Sequence, residues 1–442
     1  MPGDAMDYDV VLVRHSEIAL KTRPVRVRFE RQLVENIQRQ TGGRAHREAA
    51  RIVLKGGDWS KVGRVFGVKS YSPSVVVPTD LESIKKAALS LYRGERSFAV
   101  KARRVTKDVP FNSLEINRAV GGYIRERTGA GVNLENAELN IGIEIINGKA
   151  YVFRDVLPGP GGLPVGVAGR VLHLFSGGID SPVAAWRMAK RGAHPTLLFV
   201  NVAGSAQEAL VYRVYERLAE WFPYLNFYVV PAPDVADRII DVVPEGYRQI
   251  VFKAVVYKIA DAVADELGIP AISTGEVLSQ VSTQTLESLT VLDGYVERPV
   301  FRPLISYDKD EIVAVAREIG TLALSEKVPE VCTLSRHSVT NPKPEKVDMF
   351  LKKLGFDWDG FVDRLREGER PDVPDVFFQG QSLKGYEVVD LRRNPYFLPE
   401  KGKKYVIVCP SGSLAAARAE VLRGQGFDVY ALDEKTYRRL AT

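Results

Sequence analysis

The 442-residue chain is expected to be an α/β protein: a doubly wound parallel sheet at its centre, α+β domains before it and a small α/β segment at its end. Three observations predict this. Between residues 169 and 335, apolar runs at 171–175, 196–201, 226–231 and 271–274 alternate with helical patterns at 182–191, 206–222, 247–267 and 309–319, which implies βαβ crossovers. The first run ends in a glycine loop that opens a helix. A composition of 45% hydrophobic and 26% charged residues is that of an ordinary globular protein, long enough for about two to four domains.

Taken in order, residues 1–57 open with a strand at 9–14, continue into an arginine-rich helix near 24–40 and return as a strand at 51–55. Gly56-Gly57 marks the expected boundary. From 58 to 165, helical patterns at 80–93 and 113–128 alternate with strands at 97–103, 139–146 and 149–155, a small α+β domain. The stretch 158–164, rich in proline and glycine, is a natural linker to the sheet domain at 169–345. Residues 346–380 are expected to be linker and 381–442 a small C-terminal unit.

The net charge of +6 is unevenly placed, because residues 1–168 hold 27 Lys/Arg against 18 Asp/Glu, leaving about −3 for the rest. Arg14, Lys21, Arg23, Arg26, Arg28, Arg31, Lys101, Arg103, Arg104 and Lys107 recur at a density that suits phosphate contacts. Charge alone favours a solvated helix face over a nucleic-acid surface. No apolar run approaches the ~18 residues of a membrane span, and residues 1–7 carry no hydrophobic signal core, so a cytoplasmic protein without membrane attachment is expected, with Met6 an alternative start.

Ser176-Gly177-Gly178-Ile179-Asp180-Ser181 is the most informative string. Amides freed at a helix N-terminus favour an anion, and adjacent glycines let the backbone approach it. Ser176 and Ser181 add hydroxyls. A carboxylate beside phosphate is repelled unless a cation lies between them, so Asp180 reads as a magnesium- or pyrophosphate-organising group. Thr274-Gly275-Glu276 ends another strand, and ligands of such sheets bind at the strand carboxyl ends. His173, inside the apolar strand, is expected to be a packed core residue. With only Cys332 and Cys409, no CxxC and five scattered histidines, no metal-ligand spacing appears and a structural zinc or iron–sulfur cluster is not expected.

The glycine string resembles the pyrophosphate-binding loop of the adenine-nucleotide alpha-hydrolase superfamily and lacks the Gly-Lys-Ser/Thr of a Walker A loop. That resemblance implies adenylation with release of pyrophosphate. More widely, Val13-Arg14 to Glu17 with Leu20-Lys21, the FNSLEINR string at 111–118 and GPGGLPVG at 159–166 resemble the ferredoxin-like and THUMP domains of the tRNA 4-thiouridine synthetase (tRNA sulfurtransferase, ThiI) family. THUMP domains bind tRNA, so the resemblance makes tRNA the expected partner of the basic region. The strings at 274–285 and 302–312, followed by Ile319-Gly320-Thr321, resemble the catalytic domain of the same family.

Carried over residue by residue, the resemblance implies ATP contacts at Leu174, Phe175, Phe199, Val200, Lys253, Gly275 and Gln284, beside the loop residues Ser176, Gly177, Gly178 and Ser181. Gly275 also makes sense alone, since a side chain there would block close approach of a nucleotide. Lys309 follows Asp308 at a helix start, where a capping pair is one reading; the family places its cation beside the reacting phosphate.

Tyr405-Val-Ile-Val-Cys409 reads as a strand whose cysteine opens a loop before a helix, a place that stabilises a thiolate or persulfide. This loop, with Gly424-Gln-Gly-Phe-Asp-Val-Tyr430 and Glu387-Val-Val-Asp-Leu-Arg392, resembles a shortened rhodanese domain. Cys332 matches a catalytic-domain cysteine of family members that carry such an extension. The implied reaction adenylates the uridine at position eight of tRNA and replaces its O4 with persulfide sulfur delivered through Cys409 from a cysteine desulfurase or other donor. Cys332 then forms a transient disulfide that a reductant reopens. ATP and Mg2+ are the implied cofactors and a homodimer is allowed. Two other roles fit parts of the sequence, a sulfur carrier for the thiazole branch of thiamine synthesis and a tRNA binder without thiolation.

Overall fold

The structure, a computed structural model, describes residues 8–15, 17–329, 337–371, 376–391, 393–394, 397–409 and 412–441. Two compact units divide the chain, the first built from 1–169 with 189–193 and 221–223, the second from 170–188, 194–220 and 224–442.

In the first unit the elements run β1 (Val10–Arg14), α1 (Arg23–Thr41), β2 (Arg44–Glu48), β3 (Arg51–Lys55), β4 (Ser70–Pro78), α2 (Leu81–Ser90), β5 (Ser97–Arg104), α3 (Ser113–Thr128), β6 (Gly131–Val132), β7 (Leu139–Ile146), β8 (Lys149–Phe153) and β9 (Leu157–Pro158). They form one sheet of order β2-β3-β1-β4-β8-β7-β5-β6, with β9 on β4. β4 serves both halves: Ser70 to Ser74 pair with β1, and Val75 to Pro78 pair with β8. The boundary expected at Gly57 therefore falls before the strand that completes the first half. Gly56-Gly57 is a turn rather than a linker; a Cβ on Gly57 would lie 2.4 Å from the Gly43 nitrogen, so the diglycine allows two loops to touch.

α1 buries Phe29, Leu33 and Ile37, and α3 buries Ile116, Val120 and Ile124, each at helical spacing. The string at 111–118 has a structural task. Asn112 Oδ1 accepts from the Leu114 and Glu115 amides, and the Glu115 carboxylate accepts from the Asn112 amide, a capping box that starts α3.

One basic residue leaves the surface. Arg14 donates to Glu144 at 2.7 Å and to Ser72 at 3.0 Å and lies over the Phe153 ring, while Arg51 holds the other Glu144 oxygen at 2.7 Å. Arg14 is thus a core ion-pair member, correcting its reading as a phosphate contact. Burial pushes the Glu144 carboxyl up, but the two guanidiniums outweigh this and hold it below its usual value. Replacing Glu144 by alanine strands two largely buried cations, so unfolding is expected to become easier by about 3–5 kcal/mol. Thermal denaturation of the full chain reads this as a lowered midpoint.

The second unit runs β10 (Arg170–Leu174), α4 (Asp180–Lys190), β11 (His194–Asn201), α5 (Gly204–Ala219), β12 (Asn226–Pro231), α6 (Pro233–Val242), α7 (Arg248–Glu266), β13 (Ile272–Ser273), α8 (Leu286–Asp293), β14 (Val300–Phe301), α9 (Lys309–Glu318), α10 (Leu322–Ser325), α11 (Pro344–Leu354), α12 (Trp358–Val362), β15 (Arg366–Glu367), β16 (Glu387–Asp390), β17 (Lys404–Cys409), α13 (Ser413–Gly424), β18 (Asp428–Asp433) and α14 (Glu434–Ala441). Its main sheet has the order β14-β13-β10-β11-β12-β15. Neighbours are parallel except β15, which runs antiparallel to β12. The sheet is mixed, where an all-parallel one was expected.

That antiparallel edge comes from the stretch 346–380 expected to be linker, which supplies most of α11, α12 and β15. Val347, Phe350, Leu351 and Leu354 recur at i, i+3, i+4 and i+7 and join the main core, as does Phe361 of α12. Burial of that stripe folds the segment onto the sheet domain.

The C-terminal segment is a three-stranded parallel sheet of order β16-β17-β18 with α13 and α14. It packs on the larger sheet's helices. A Cβ on Gly204 would meet the Ala417 Cα at 3.2 Å, the Ser205 amide donates to Glu420 at 2.9 Å, and Ala206 shares a core cluster with Cys409.

A candidate active site at the strand carboxyl ends

β10 hands the chain directly to the glycine loop. The Phe175 amide donates to the Leu198 carbonyl at 2.9 Å, extending the ladder one residue before the backbone turns. Gly177 has φ +76 and a Cβ on it would press on Val211 at 3.0 Å, so only glycine fits. Gly178 is roomy by comparison. The Ser176 amide donates to Ser181 Oγ at 3.3 Å and the Gly178 amide to Ser176 Oγ at 3.3 Å. The two serines brace the loop, and α4 begins at Asp180.

Asp180 is held from two sides. Oδ1 accepts from Lys309 Nζ at 2.7 Å and Oδ2 from Gln280 Nε2 at 2.9 Å, with the Asp180 side chain 21% exposed. Lys309 is the first residue of α9, but Asp308 and Glu311 cap that helix through a capping box. The capping role thus falls on Asp308, and the Lys309 ammonium is left to meet Asp180.

Gly275 lies against this junction. A Cβ there would sit 2.9 Å from the Ser181 nitrogen and 3.0 Å from the Asp180 carbonyl carbon. The start of α4 thus already demands glycine here, besides any approach of a nucleotide.

Behind Gly275, the buried Glu276 collects donors on a single oxygen: Tyr257 Oη at 2.6 Å, Thr274 Oγ1 at 3.0 Å and Arg302 Nε at 2.9 Å. Oε1 has no hydrogen-bond partner and faces Lys253 Nζ at 3.8 Å. Burial pushes the Tyr257 phenol upward, with the Glu276 charge adding to it, so Tyr257 stays a donor. Gln284 is buried and its Oε1 is also unpaired. Both are acceptors that the fold itself leaves without a hydrogen bond.

Phe175 and Phe199 have buried side chains and Leu174 and Val200 half-buried ones, so Phe175 and Phe199 offer backbone alone at the strand ends. His173 is fully buried, with Nδ1 on Ser273 Oγ and Nε2 on the Ser181 carbonyl, both at 2.8 Å. It ties β10 to β13 and to the start of α4 as a core residue. Burial lowers its pKa to about 4. The unfolded chain, with histidine near its ordinary value, binds this proton more readily, so stability is full above about pH 6.5 and falls toward pH 4. A His173→Gln variant is expected to show a shallower loss of unfolding free energy across that window in denaturant titrations.

Cys409 ends β17, is 2% exposed and accepts a hydrogen bond from the Ala415 amide in the first turn of α13 at 3.4 Å. Cys332 lies outside the described residues, as do Pro410 and Ser411 beside Cys409. Among the basic candidates, Lys21, Arg23, Arg28, Arg31, Lys101, Arg103 and Lys107 are exposed, while Arg26 and Arg104 are half-buried. Among the described residues, no group of three or more His, Cys, Asp or Glu is placed to hold a metal, and no helix is long and apolar enough to cross a membrane.

Gln280, Tyr257 and Arg302 were not singled out in the sequence, and Glu276 was named only as part of the strand end Thr274-Gly275-Glu276. Gln280 and Glu276 lie inside the 274–285 string, but spacing alone does not separate them from their neighbours.

The comparisons agree with this layout. Residues 166–356 match the family model described as thiamine biosynthesis protein (ThiI), 78–155 the THUMP domain and 10–72 the ThiI ferredoxin-like domain. A probable tRNA sulfurtransferase of Saccharolobus islandicus is 37% identical over 79% of this chain and 97% of its own length. The tRNA sulfurtransferase of Thermoplasma volcanium is 33% identical over 95% and 94%. Among solved structures, a 4-thiouridine synthetase–RNA complex with bound ATP aligns with a TM-score of 0.74 and 30% identity, covering 82% of this chain and 100% of that one. PH1313 from Pyrococcus horikoshii Ot3 aligns at 0.57 with 27% identity, covering 71% and 99%.

Proposed function

This chain belongs to the ThiI family of tRNA sulfurtransferases, and from that premise we propose how its geometry performs the reaction. It is an ATP-dependent tRNA sulfurtransferase that makes 4-thiouridine, with ATP and tRNA as substrates. The observation that carries the active-site reading is Asp180, oriented between Lys309 and Gln280 at the mouth of a glycine loop.

The main sheet is read as doubly wound, with ATP across the carboxyl ends of β10, β11 and β13. Loop amides from Ser176 to Ser181 cradle the phosphates, and Gln284 and Lys253 reach the nucleotide. The donor set fits a magnesium ion that arrives with the nucleotide rather than one caged by protein, since Asp180 is the carboxylate at the loop and Ser176 and Ser181 supply hydroxyls. Bound there, magnesium would screen phosphate charge. Lys309 shifts from Asp180 toward the reacting phosphate, adding a cation where charge develops.

O4 of the uridine at position eight attacks the α-phosphate and pyrophosphate leaves. Drawing that base from folded tRNA costs on the order of a few kcal/mol, offset by contacts of the exposed basic residues in the first unit. Cys409, on the rhodanese-like segment, carries persulfide sulfur from a cysteine desulfurase; the sulfur attacks C4 and AMP departs. Cys332 then attacks Cys409 Sγ, breaking its S–S bond to the transferred sulfur and releasing 4-thiouridine, and a reductant reopens the resulting Cys332–Cys409 disulfide.

Nucleoside analysis of tRNA from cells lacking the protein tests the reading. Loss of 4-thiouridine, restored by the wild-type chain, is expected; unchanged 4-thiouridine overturns it. The thiamine description of the matched family model favours a second use of Cys409 as a carrier toward thiazole. That use needs no Asp180, so growth without thiamine on the Asp180→Ala chain separates the two.

A further inference from the structure

The loop after β13 carries a strained residue. Ser279 sits at φ +63, one of three non-glycine residues with positive φ among those described, and its amide donates to the Gln284 carbonyl at 2.8 Å. A β-carbon in that region is costly, so the surrounding contacts must hold it there. The next residue is Gln280, whose side chain crosses to Asp180 Oδ2.

Resting on the ATP-site reading above, we propose that Gln280 is a positioning residue for Asp180 and that the strained turn at Ser279 exists to aim it. Lys309 and Gln280 divide the labour on the two carboxylate oxygens. Lys309 neutralises as it binds; Gln280 is a neutral donor that orients without neutralising. When the Lys309 ammonium turns to the phosphates, Asp180 regains its full charge and stays in one rotamer, because Oδ2 is still tied. A carboxylate free to swing would have to be ordered during the reaction.

Single-turnover thiolation with tRNA and ATP, and the thermal shift given by ATP alone, test this. Gln280→Ala is expected to slow the reaction by about tenfold to a hundredfold, the scale of a misplaced catalytic group, with the KM for ATP and the ATP thermal shift within about threefold and a few degrees of wild type. A crystal structure of that variant is expected to show Asp180 in more than one rotamer.

Gln280→Glu sets a carboxyl against Asp180. It replaces the neutral donor with an acceptor, so the hydrogen bond that ties Oδ2 is lost. Its rate is therefore expected to be no higher than that of Gln280→Ala. Ser279→Gly keeps the turn and is expected to retain the wild-type rate, whereas Ser279→Val cannot hold it and is expected to behave as Gln280→Ala.

A Gln280→Ala rate within twofold of wild type, or a Gln280→Glu rate near wild type, overturns the proposal. Failure of the wild-type chain to thiolate tRNA would instead reject the ATP-site reading.

Discussion

Asp180→Ala is expected to lower the thiolation rate by at least about a thousandfold, the upper range for removing one preorganised electrostatic group, while leaving the fold and tRNA binding intact. The carboxylate is partly exposed and starts α4, with Lys309 and Gln280 as its hydrogen-bond partners. Neither partner is stranded in the core by its loss, so the stability change should stay within about 1 kcal/mol. Asp180→Asn makes the argument sharper. It nearly matches the shape but carries no charge, and it is expected to fail almost as completely, because Lys309 and a phosphate-bound cation both need the charge. Single-turnover thiolation, tRNA binding and thermal denaturation on the same preparations check all three points. An Asp180→Asn enzyme within tenfold of wild type would show that shape suffices and would remove the electrostatic role.

What was readable in the sequence follows contiguity. The loop from Leu174 to Ser181 is one uninterrupted string in which glycine, serine and aspartate have separate duties, and the structure places them around one turn. The fold gives Gly275 a packing reason that the sequence did not show. Its contact with the Ser181 nitrogen joins the end of β13 to the start of α4, a relation no local pattern contains. Glu276, Tyr257 and Arg302 are likewise supplied by three separate segments, so their network exists only after folding.

Two errors have the same physical root. Arg14 looked like one more surface arginine because its partner Glu144 lies 130 residues away, and burial of a charge is decided by that partner. The stretch holding α11 looked like linker because lysines and acids surround its apolar stripe, although Val347, Phe350, Leu351 and Leu354 keep helical spacing throughout.

Cys409→Ser is expected to lower thiolation by at least about a hundredfold, since the thiolate rather than a hydroxyl is the sulfur nucleophile, while ATP still shifts the melting temperature as it does in wild type. The helix-start amide of Ala415 already points at Sγ, so a thiolate or persulfide placed there meets a donor and the positive end of α13. Serine keeps the volume and can accept the same hydrogen bond, which limits the folding cost to about 1–2 kcal/mol for a buried hydroxyl. The burial of Cys409 has a kinetic consequence. A donor protein cannot reach a sulfur that is 2% exposed, so loading requires the segment around it to open first. Contacts that dock α13 on α5, with Glu420 accepting from the Ser205 amide, then oppose exposure of the sulfur. Glu420→Ala is accordingly expected to speed alkylation of Cys409 by iodoacetamide and to leave ATP binding unchanged. Normal thiolation by Cys409→Ser with a cysteine desulfurase and cysteine as the sulfur source would dismiss the whole C-terminal route and leave Cys332 as the sulfur-handling cysteine.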